Sequence, residues 1–264
     1  MKNIAFIINE DKDPKLAFAG ALAETAEALG FVCRIDGDVF DGADFALVLG
    51  GDGTMLSAAK SAALRGIPIM GINLGKLGYL TTAERSGAAA ALEAVAAGRF
   101  RLDRRIMLEA ALPGGKTLCA LNDVCLSKNT ALRPCAFELR VNGELIGEYA
   151  ADGLIVATPT GSTAYNLSAG GPVMKPDAEM IALTPVCPHN LRARPLVISS
   201  GDAAAIKNTN PGNAGIIVSS DGAEAFLLPP GGEIEIKKSP LSVGIIRTRE
   251  IGFYDILREK FAGR

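Results

Sequence analysis

The chain carries a single histidine in 264 residues. His189 stands between Pro188 and Asn190 with no second imidazole, so a dedicated zinc site has no ligand pair to start from. No histidine is spaced to activate a serine, and Gly161-Ser162 does not fit the G-x-S-x-G turn of a hydrolase. His189 therefore reads as structural. Cysteine is sparse and odd in number: Cys33, Cys119, Cys125, Cys135 and Cys187 show no C-x-x-C spacing. That usage suits free thiols in a reducing cytoplasm, most of them filling core. Surplus positive charge is also lacking. A net charge of -2 and a pI near 5.6 exclude nucleic acid as the main partner. The short basic pairs, Arg104-Arg105 and Arg192 with Arg194, read as solvated surface or local ion pairs. No apolar run reaches the roughly 18 residues that would cross a bilayer, so no membrane partner is expected. The first residues, Met1–Asn9, read as a strand rather than a signal peptide.

What is present is an ordinary globular composition, 48% hydrophobic and 21% charged, long enough for one large domain or two of common size. The first hundred residues alternate between strand and helix. Asn3–Asn9, Phe31–Ile35, Phe45–Leu49 and Ile67–Ile72 read as strands. Pro14–Leu29, Thr54–Leu64 and Gly87–Ala97 read as helices, with Gly30 near a C-cap. Short, fully apolar strands between helices predict a parallel sheet covered on both faces. After Gly98 the texture becomes β-like. Pro113-Gly114-Gly115 marks a turn, and Asn142-Gly143 between Phe137–Val141 and Leu145-Ile146 marks a hairpin. Glu250–Phe261 has helical spacing and is expected to pack back on the first domain. The expected division is residues 1–99 plus about 245–264 as an α/β domain, and 100–244 as a mostly β domain.

Gly50-Gly51-Asp52-Gly53-Thr54 carries the most information. It follows an apolar strand and opens a helix, where free N–H groups and the helix dipole converge on one spot and favour an anion. It is not the dinucleotide fingerprint G-x-G-x-x-G, because Leu56 replaces the third glycine. Nor is there a P-loop, since Gly75-Lys76 is followed by Leu77 and preceded at the required spacing by Met70. Asp52 is the unexpected member. A carboxylate beside phosphates is repelled unless it takes a proton or holds a metal, so it points to chemistry on a phosphate. A plain βα turn without a ligand is the bland alternative.

Three further stretches have the same double reading. Thr158–Tyr165, followed by Asn166–Pro172, crowds five hydroxyls and one glycine into eight residues after a strand, suited to a base edge or a phosphate. Tyr165 offers a flat face with a polar tip. A hydroxyl-rich turn capping a short helix is the alternative. Asn122-Asp123 interrupts the apolar strand Thr117–Leu126 and suits a ribose diol, or else marks a bend with local hydrogen bonds; Asp152-Gly153 is equally ambiguous. The Asn73–Leu80 loop follows a strand and could border a crevice at the carboxyl ends of the sheet.

Taken together, these motifs resemble those of the NAD kinase family. The resemblance rests on Gly50–Thr54, the Asn73–Leu80 loop, Asn122-Asp123, Asp152-Gly153 with Thr158–Tyr165 and Ser168, and Pro188-His189 ahead of Ala193-Arg194-Pro195. It spans about residues 45–225. It implies a Rossmann-like N-terminal α/β domain, a β-sandwich-like C-terminal domain that binds the dinucleotide, a C-terminal helix returning to the first domain, and a site between the two domains. It implies transfer of a phosphoryl group from ATP to the 2′-hydroxyl of the adenosine ribose of NAD, giving NADP. Asp52 would be the catalytic base. Gly50, Gly51, Gly53 and Thr54 would hold phosphates. Asp52, Gly53, Asn122, Asp123 and Asp152 would contact NAD, with Arg133 as a further basic ligand. Thr163, Ala164, Tyr165 and Ser168 would line the adenine side, with Asn166 and Leu167 in the same stretch. No resident metal site is implied; Mg2+ would arrive with ATP. A cytoplasmic homodimer or homotetramer is the expected form. Two departures concern substrate preference: Ala150 where many relatives carry Arg or Lys, and Ala223 after Asp221-Gly222 where a polar residue is common. A lipid or sugar kinase sharing the glycine motif, and a non-catalytic dinucleotide-binding protein, are the rival readings.

Overall fold

The computed structural model describes residues 2–35, 40–75, 78–130, 133–249 and 252–262. The chain forms two compact units. Unit 1 holds Met1–Arg105 and Ser242–Arg264, and unit 2 holds Ile106–Leu241.

Unit 1 is a parallel α/β layer structure. Its elements run β1 (Asn3–Ile8), α1 (Ala17–Ala28), β2 (Val32–Arg34), β3 (Phe45–Gly50), α2 (Asp52–Leu64), β4 (Ile69–Asn73), β5 (Ala83–Glu84) and α3 (Ala88–Ala96). The strands lie in the order β2-β1-β3-β4, all parallel, with Ile4 opposite Phe45 and Ala46 opposite Ile69. Every residue of β3 and β4 is buried, as central strands covered on both faces must be. On one face Phe45, Leu47, Leu49, Met70 and Ile72 pack with Leu22 and Ala26 of α1 and Leu92 and Val95 of α3. On the other, α2 buries Met55, Ala58, Ala59 and Ala62. A Cβ on Gly71 would stand 2.7 Å from the Met55 sulfur, so α2 lies close against β4. The sheet's connections run one way from β1 to β2 and the other way from β3 to β4. This reversal opens a crevice at the carboxyl ends of β1 and β3, where such sheets take ligands.

Two helix starts in unit 1 differ from those expected. The helix expected over Pro14–Leu29 begins at Ala17. Pro14–Leu16 form a separate 3-10 turn in which Lys15 and Leu16 take positive φ, 71° and 54°. The cause is Asp13, buried, whose carboxylate accepts the N–H groups of Phe18 at 3.0 Å and Ala19 at 2.8 Å and so sets the helix start at Ala17. At the other end Gly30 takes φ 87°, as a helix-terminating residue without Cβ can. The helix expected over Gly87–Ala97 begins one residue later, at Ala88, with Gly87 closing a 3-10 turn, Arg85–Gly87, ahead of it.

Unit 2 is two antiparallel sheets around one core. Its strands are β6 (Arg101–Ala111), β7 (Thr117–Ala120), β8 (Asp123–Lys128), β9 (Cys135–Val141), β10 (Glu144–Ala151), β11 (Gly153–Ala157), β12 (Met180–Val186), β13 (Leu196–Ser199), β14 (Ala203–Asn208), β15 (Ile216–Ser220), β16 (Glu224–Leu228) and β17 (Glu233–Arg247), with a one-turn helix α4 (Tyr165–Ser168) after β11. The first residues of β6 and the last of β17 fall within unit 1, where Ile245 pairs parallel with Ile69. In unit 2 one sheet runs β10-β9-β14-β17 and the other β13-β12-β11-β8-β15-β16. Phe137, Leu139, Ile206 and Ile234 from the first meet Leu126, Val156, Leu183 and Val218 from the second in one buried cluster. Asn142 and Gly143 turn the β9–β10 hairpin with φ 51° and 84°, the positive pair a two-residue turn of this kind demands. The strand expected over Thr117–Leu126 is broken into β7 and β8 at Leu121-Asn122.

The last helix, α5 (Phe253–Phe261), belongs to unit 1, where it sets the Phe253 ring 6.4 Å from that of Tyr79. Glu250 and Ile251 of the helix expected over Glu250–Phe261, and Lys76 and Leu77 of the Asn73–Leu80 loop, lie outside the described residues.

Candidate active site

In unit 1 the glycine turn sits at the crevice of the sheet. Gly50 closes β3, Gly51 is the N-cap of α2, and Asp52 is its first helical residue. Gly50 must be glycine, because a Cβ there would fall 2.2 Å from the Thr54 hydroxyl. That hydroxyl accepts the Gly51 N–H at 3.4 Å and the side-chain amide of Asn9 at 3.4 Å, tying the end of β1 to the turn. Gly53 is exposed, with open space where a side chain would stand. Lys12, on the segment after β1, brings its ammonium to 3.2 Å from the position a Gly51 Cβ would take. A cation thus lies over the N-terminus of a 13-residue helix, a placement that favours an anion.

Asp52 does not swing freely. Its Oδ2 accepts the Tyr79 N–H at 2.9 Å and its Oδ1 accepts the Leu80 N–H at 3.0 Å. Gly78 lets this loop come so near, since a Cβ on it would stand 2.1 Å from Oδ1. Each carboxylate oxygen keeps a further acceptor direction. The group is half-buried and fixed in orientation, yet still able to take a proton.

In unit 2 the Thr158–Ser168 segment is built in two layers. The inner layer is structural. Thr158 donates its hydroxyl to the Leu121 carbonyl at 2.6 Å, and its N–H goes to the Asn122 carbonyl at 2.9 Å. A Cβ on Gly161 would lie 2.1 Å from that same carbonyl, so the Asn122 and Gly161 backbones touch. The Ser162 hydroxyl donates to the Pro159 carbonyl and accepts the Met174 N–H. Asn166 is fully buried. Its amide donates to the carbonyls of Ser162 and Pro172, and its oxygen accepts the Thr184 hydroxyl at 2.7 Å. The resemblance implies Asn166 among the dinucleotide contacts; in the structure its side chain is buried and its hydrogen bonds clamp the turn. The outer layer is accessible: Thr163, Ala164 and Leu167 are half-buried, and Ser168 and Tyr165 are exposed, with 49% of the tyrosine uncovered.

Asp123 and Asp152 face the same neighbourhood, since both carboxylates raise the Tyr165 phenol, behind the larger effect of burial. Asp152 is paired with Lys128 at 2.7 Å. Asp123 is almost wholly buried, and burial, with the Asp221 carboxylate beside it, pushes its carboxyl up to about 7. Burial raises Asp221 too, although its carboxylate accepts the consecutive N–H groups of Leu121, Asn122 and Asp123 at 2.8, 2.8 and 3.2 Å. Arg133 lines a cavity of about 840 Å³ together with Ala150, Asn210–Gly215 and Lys128, the partner of Asp152. The thiols of Cys125 and Cys135 are pushed up by burial to about 12 and about 11, which leaves them inert filler. His189 is exposed and gives its backbone N–H to the Ala150 carbonyl.

Lys12, Asn9 and Asp221 escaped the sequence reading as site residues. Asn9 and Lys12 follow an ordinary strand. Asp221-Gly222 carries a turn signal, with Asp221 at φ 49°, but nothing local tells that its carboxylate serves a backbone about a hundred residues earlier.

An open α/β sheet with an anion-ready glycine turn at its reversal point, beside an oriented carboxylate, is the arrangement of a nucleotide-handling phosphotransferase. Comparison with known proteins gives the family. The family model of the ATP-NAD kinase N-terminal domain matches residues 6–100, and that of the ATP-NAD kinase C-terminal domain matches residues 121–248. The NAD kinase of Symbiobacterium thermophilum is 38% identical over 284 aligned residues that span all of both chains. That of Heliobacterium modesticaldum is 43% identical over 221 residues, covering 82% of this chain and 78% of its own. An NAD kinase from Archaeoglobus fulgidus, solved in complex with ATP, superposes with a TM-score of 0.80 at 26% identity and 98% coverage of each chain. Yeast NADH kinase, solved with NADH, shares the fold with a TM-score of 0.86 at 22% identity, over 100% of this chain and 88% of its own. The chain belongs to the NAD kinase family.

Proposed function

We propose that the protein transfers the γ-phosphoryl group of ATP to the 2′-hydroxyl of the adenosine ribose of NAD, producing NADP and ADP. The observation that carries this reading is Asp52: in a member of this family, it is a carboxylate oriented by two backbone N–H groups at the mouth of a glycine turn. A sugar hydroxyl does not ionise near neutral pH. Asp52 accepts its proton as the bond from the 2′-oxygen to Pγ forms and the bond from Pγ to the bridging oxygen of ADP breaks. Such a base contributes about 10²–10⁴-fold. The Gly50–Thr54 turn and Lys12 supply positive potential for phosphates. ATP enters as its Mg2+ complex, so the cation is part of the substrate and adds charge neutralisation.

In unit 2 the exposed face of Tyr165 receives the adenine. Thr163, Ala164, Leu167 and Ser168 flank it, and Asn122, Asp123 and Asp152 bind the ribose side through polar contacts. Arg133 contacts the more distant part of the dinucleotide from the cavity wall. Cysteines that form no disulfide among the described residues support a cytoplasmic setting. Exposed apolar side chains on unit 2, among them Leu145, Ile146, Met180 and Leu191, support a homo-oligomer.

The test is NADP production by the purified protein from NAD, ATP and Mg2+, followed through an NADP-specific dehydrogenase. A parallel set offers a glycerolipid, a sphingoid base and a free sugar as acceptors. NADP formation with none of these phosphorylated is the expected result. Phosphate on a lipid or sugar but not on NAD would overturn it, as would dinucleotide binding without turnover.

A further inference from the structure

The loop that orients Asp52 is itself held from behind. Arg247, near the end of β17, lies in unit 1 with 11% of its side chain exposed. Its guanidinium donates Nη2 to the Tyr79 carbonyl at 3.0 Å, and Nη1 to the Thr81 carbonyl at 2.7 Å and the Leu80 carbonyl at 3.3 Å. Its Nε reaches Asp103 at 3.3 Å, and Asp103 also pairs with Arg105. The Tyr79 carbonyl and the Leu80 N–H belong to one planar peptide group and point in opposite directions from it. Arg247 bonds one edge of that plane and Asp52 the other. The order is guanidinium, carbonyl, amide, carboxylate, with every dipole aligned. Linked hydrogen bonds of this kind polarise one another.

We propose that Arg247 is the positioning residue for Asp52, acting through the Tyr79–Leu80 peptide to fix the direction of the carboxylate. The inference rests on the reading of Asp52 as the base. Burial first and the neighbouring Arg105 second bring the guanidinium down to about 10, against the opposing pull of Asp103, so it stays charged at neutral pH. Three carbonyl contacts and the Asp103 contact make four, spread over the guanidinium fork; an ammonium has three donors on one atom and would satisfy fewer. Nothing local in the sequence shows this, because 166 to 168 residues separate the partners.

The experiment compares Arg247→Met, Arg247→Lys and Asp52→Asn with wild type, taking kcat and KM for NAD and the amide proton shift of Leu80 in the folded protein. Asp103 keeps Arg105 as a partner in the first variant, so no buried carboxylate is orphaned. The expected result for Arg247→Met is a kcat lower by roughly ten- to a hundredfold, the cost of a misaligned reacting group. KM should stay within about twofold, and the Leu80 amide proton should move upfield as its bond to Asp52 loosens. Arg247→Lys should fall between the two on both readings, and it carries the test if the methionine variant does not fold. Wild-type turnover, a change in KM alone, or an unmoved Leu80 resonance would each overturn the inference. Asp52→Asn separates the two ideas: if that variant turns over normally, the base reading fails, whereas if it is inactive while the Arg247 variants turn over normally, only the positioning role fails.

Discussion

Asp123 links folding to pH in a direction opposite to most carboxylates. The perturbation is Asp123→Asn, nearly the same shape without the titratable proton. Below pH 3.8 the wild-type carboxyl is protonated in both the folded and the unfolded chain, and the group is indifferent to pH. Between 3.8 and about 7 the folded chain retains a proton that the unfolded chain has released. Stability therefore falls as pH rises through that window, and the full penalty remains above it. The cause is burial first and the neighbouring Asp221 carboxylate second. A rise from 3.8 to about 7 corresponds to at most about 4 kcal/mol. The assay is urea unfolding of both proteins, without nucleotide, at intervals from pH 4.5 to 8. The difference between variant and wild type should grow in the variant's favour with pH and level off just above 7. A constant difference across the range would refute the reasoning, and so would one that grows as the pH falls.

Gly78→Ala should lower kcat roughly ten- to a hundredfold with modest change in KM, because its Cβ would stand 2.1 Å from the Asp52 carboxylate and must push the loop away; steady-state kinetics reads this directly. Asn166→Ala should cost about 2–4 kcal/mol in chemical unfolding, since it strips partners from the Ser162 and Pro172 carbonyls and the Thr184 hydroxyl in a dry interior. Tyr165→Ala should leave stability unchanged and raise the dinucleotide Kd by about ten- to thirtyfold, the loss of one stacking surface, as calorimetric titration with NAD would show.

Local pattern carried much of the fold. The apolar run Phe45–Leu49 ending in glycine reads as a buried strand entering a helix because few other uses exist for that pattern. Asn142-Gly143 reads as a hairpin because those two residues tolerate positive φ. The candidate site segments, Gly50–Thr54 and Thr158–Ser168, stand out because glycine and hydroxyl clusters after apolar strands are uncommon in plain connections. What stayed hidden depends on contacts between distant parts of the chain. The start of α1 is set by a buried Asp13, although Pro14 has the local look of a first helical residue. Asn166 sits in a stretch that suggests ligand contact, and only the packing of β12 shows that its amide is fully occupied by Thr184 and two carbonyls. Asp221 and Arg247 act on backbone groups about 100 and about 167 residues away, and no spacing rule reaches so far.

Removing the charge from residue 52 while leaving its shape tests the central claim most directly. Asp52→Asn is measured for NAD affinity by calorimetry and for NADP formation with saturating ATP and Mg2+. The account predicts a Kd within about threefold of wild type and a kcat lower by about 10²–10⁴-fold. NADP formed at close to the wild-type rate would contradict it.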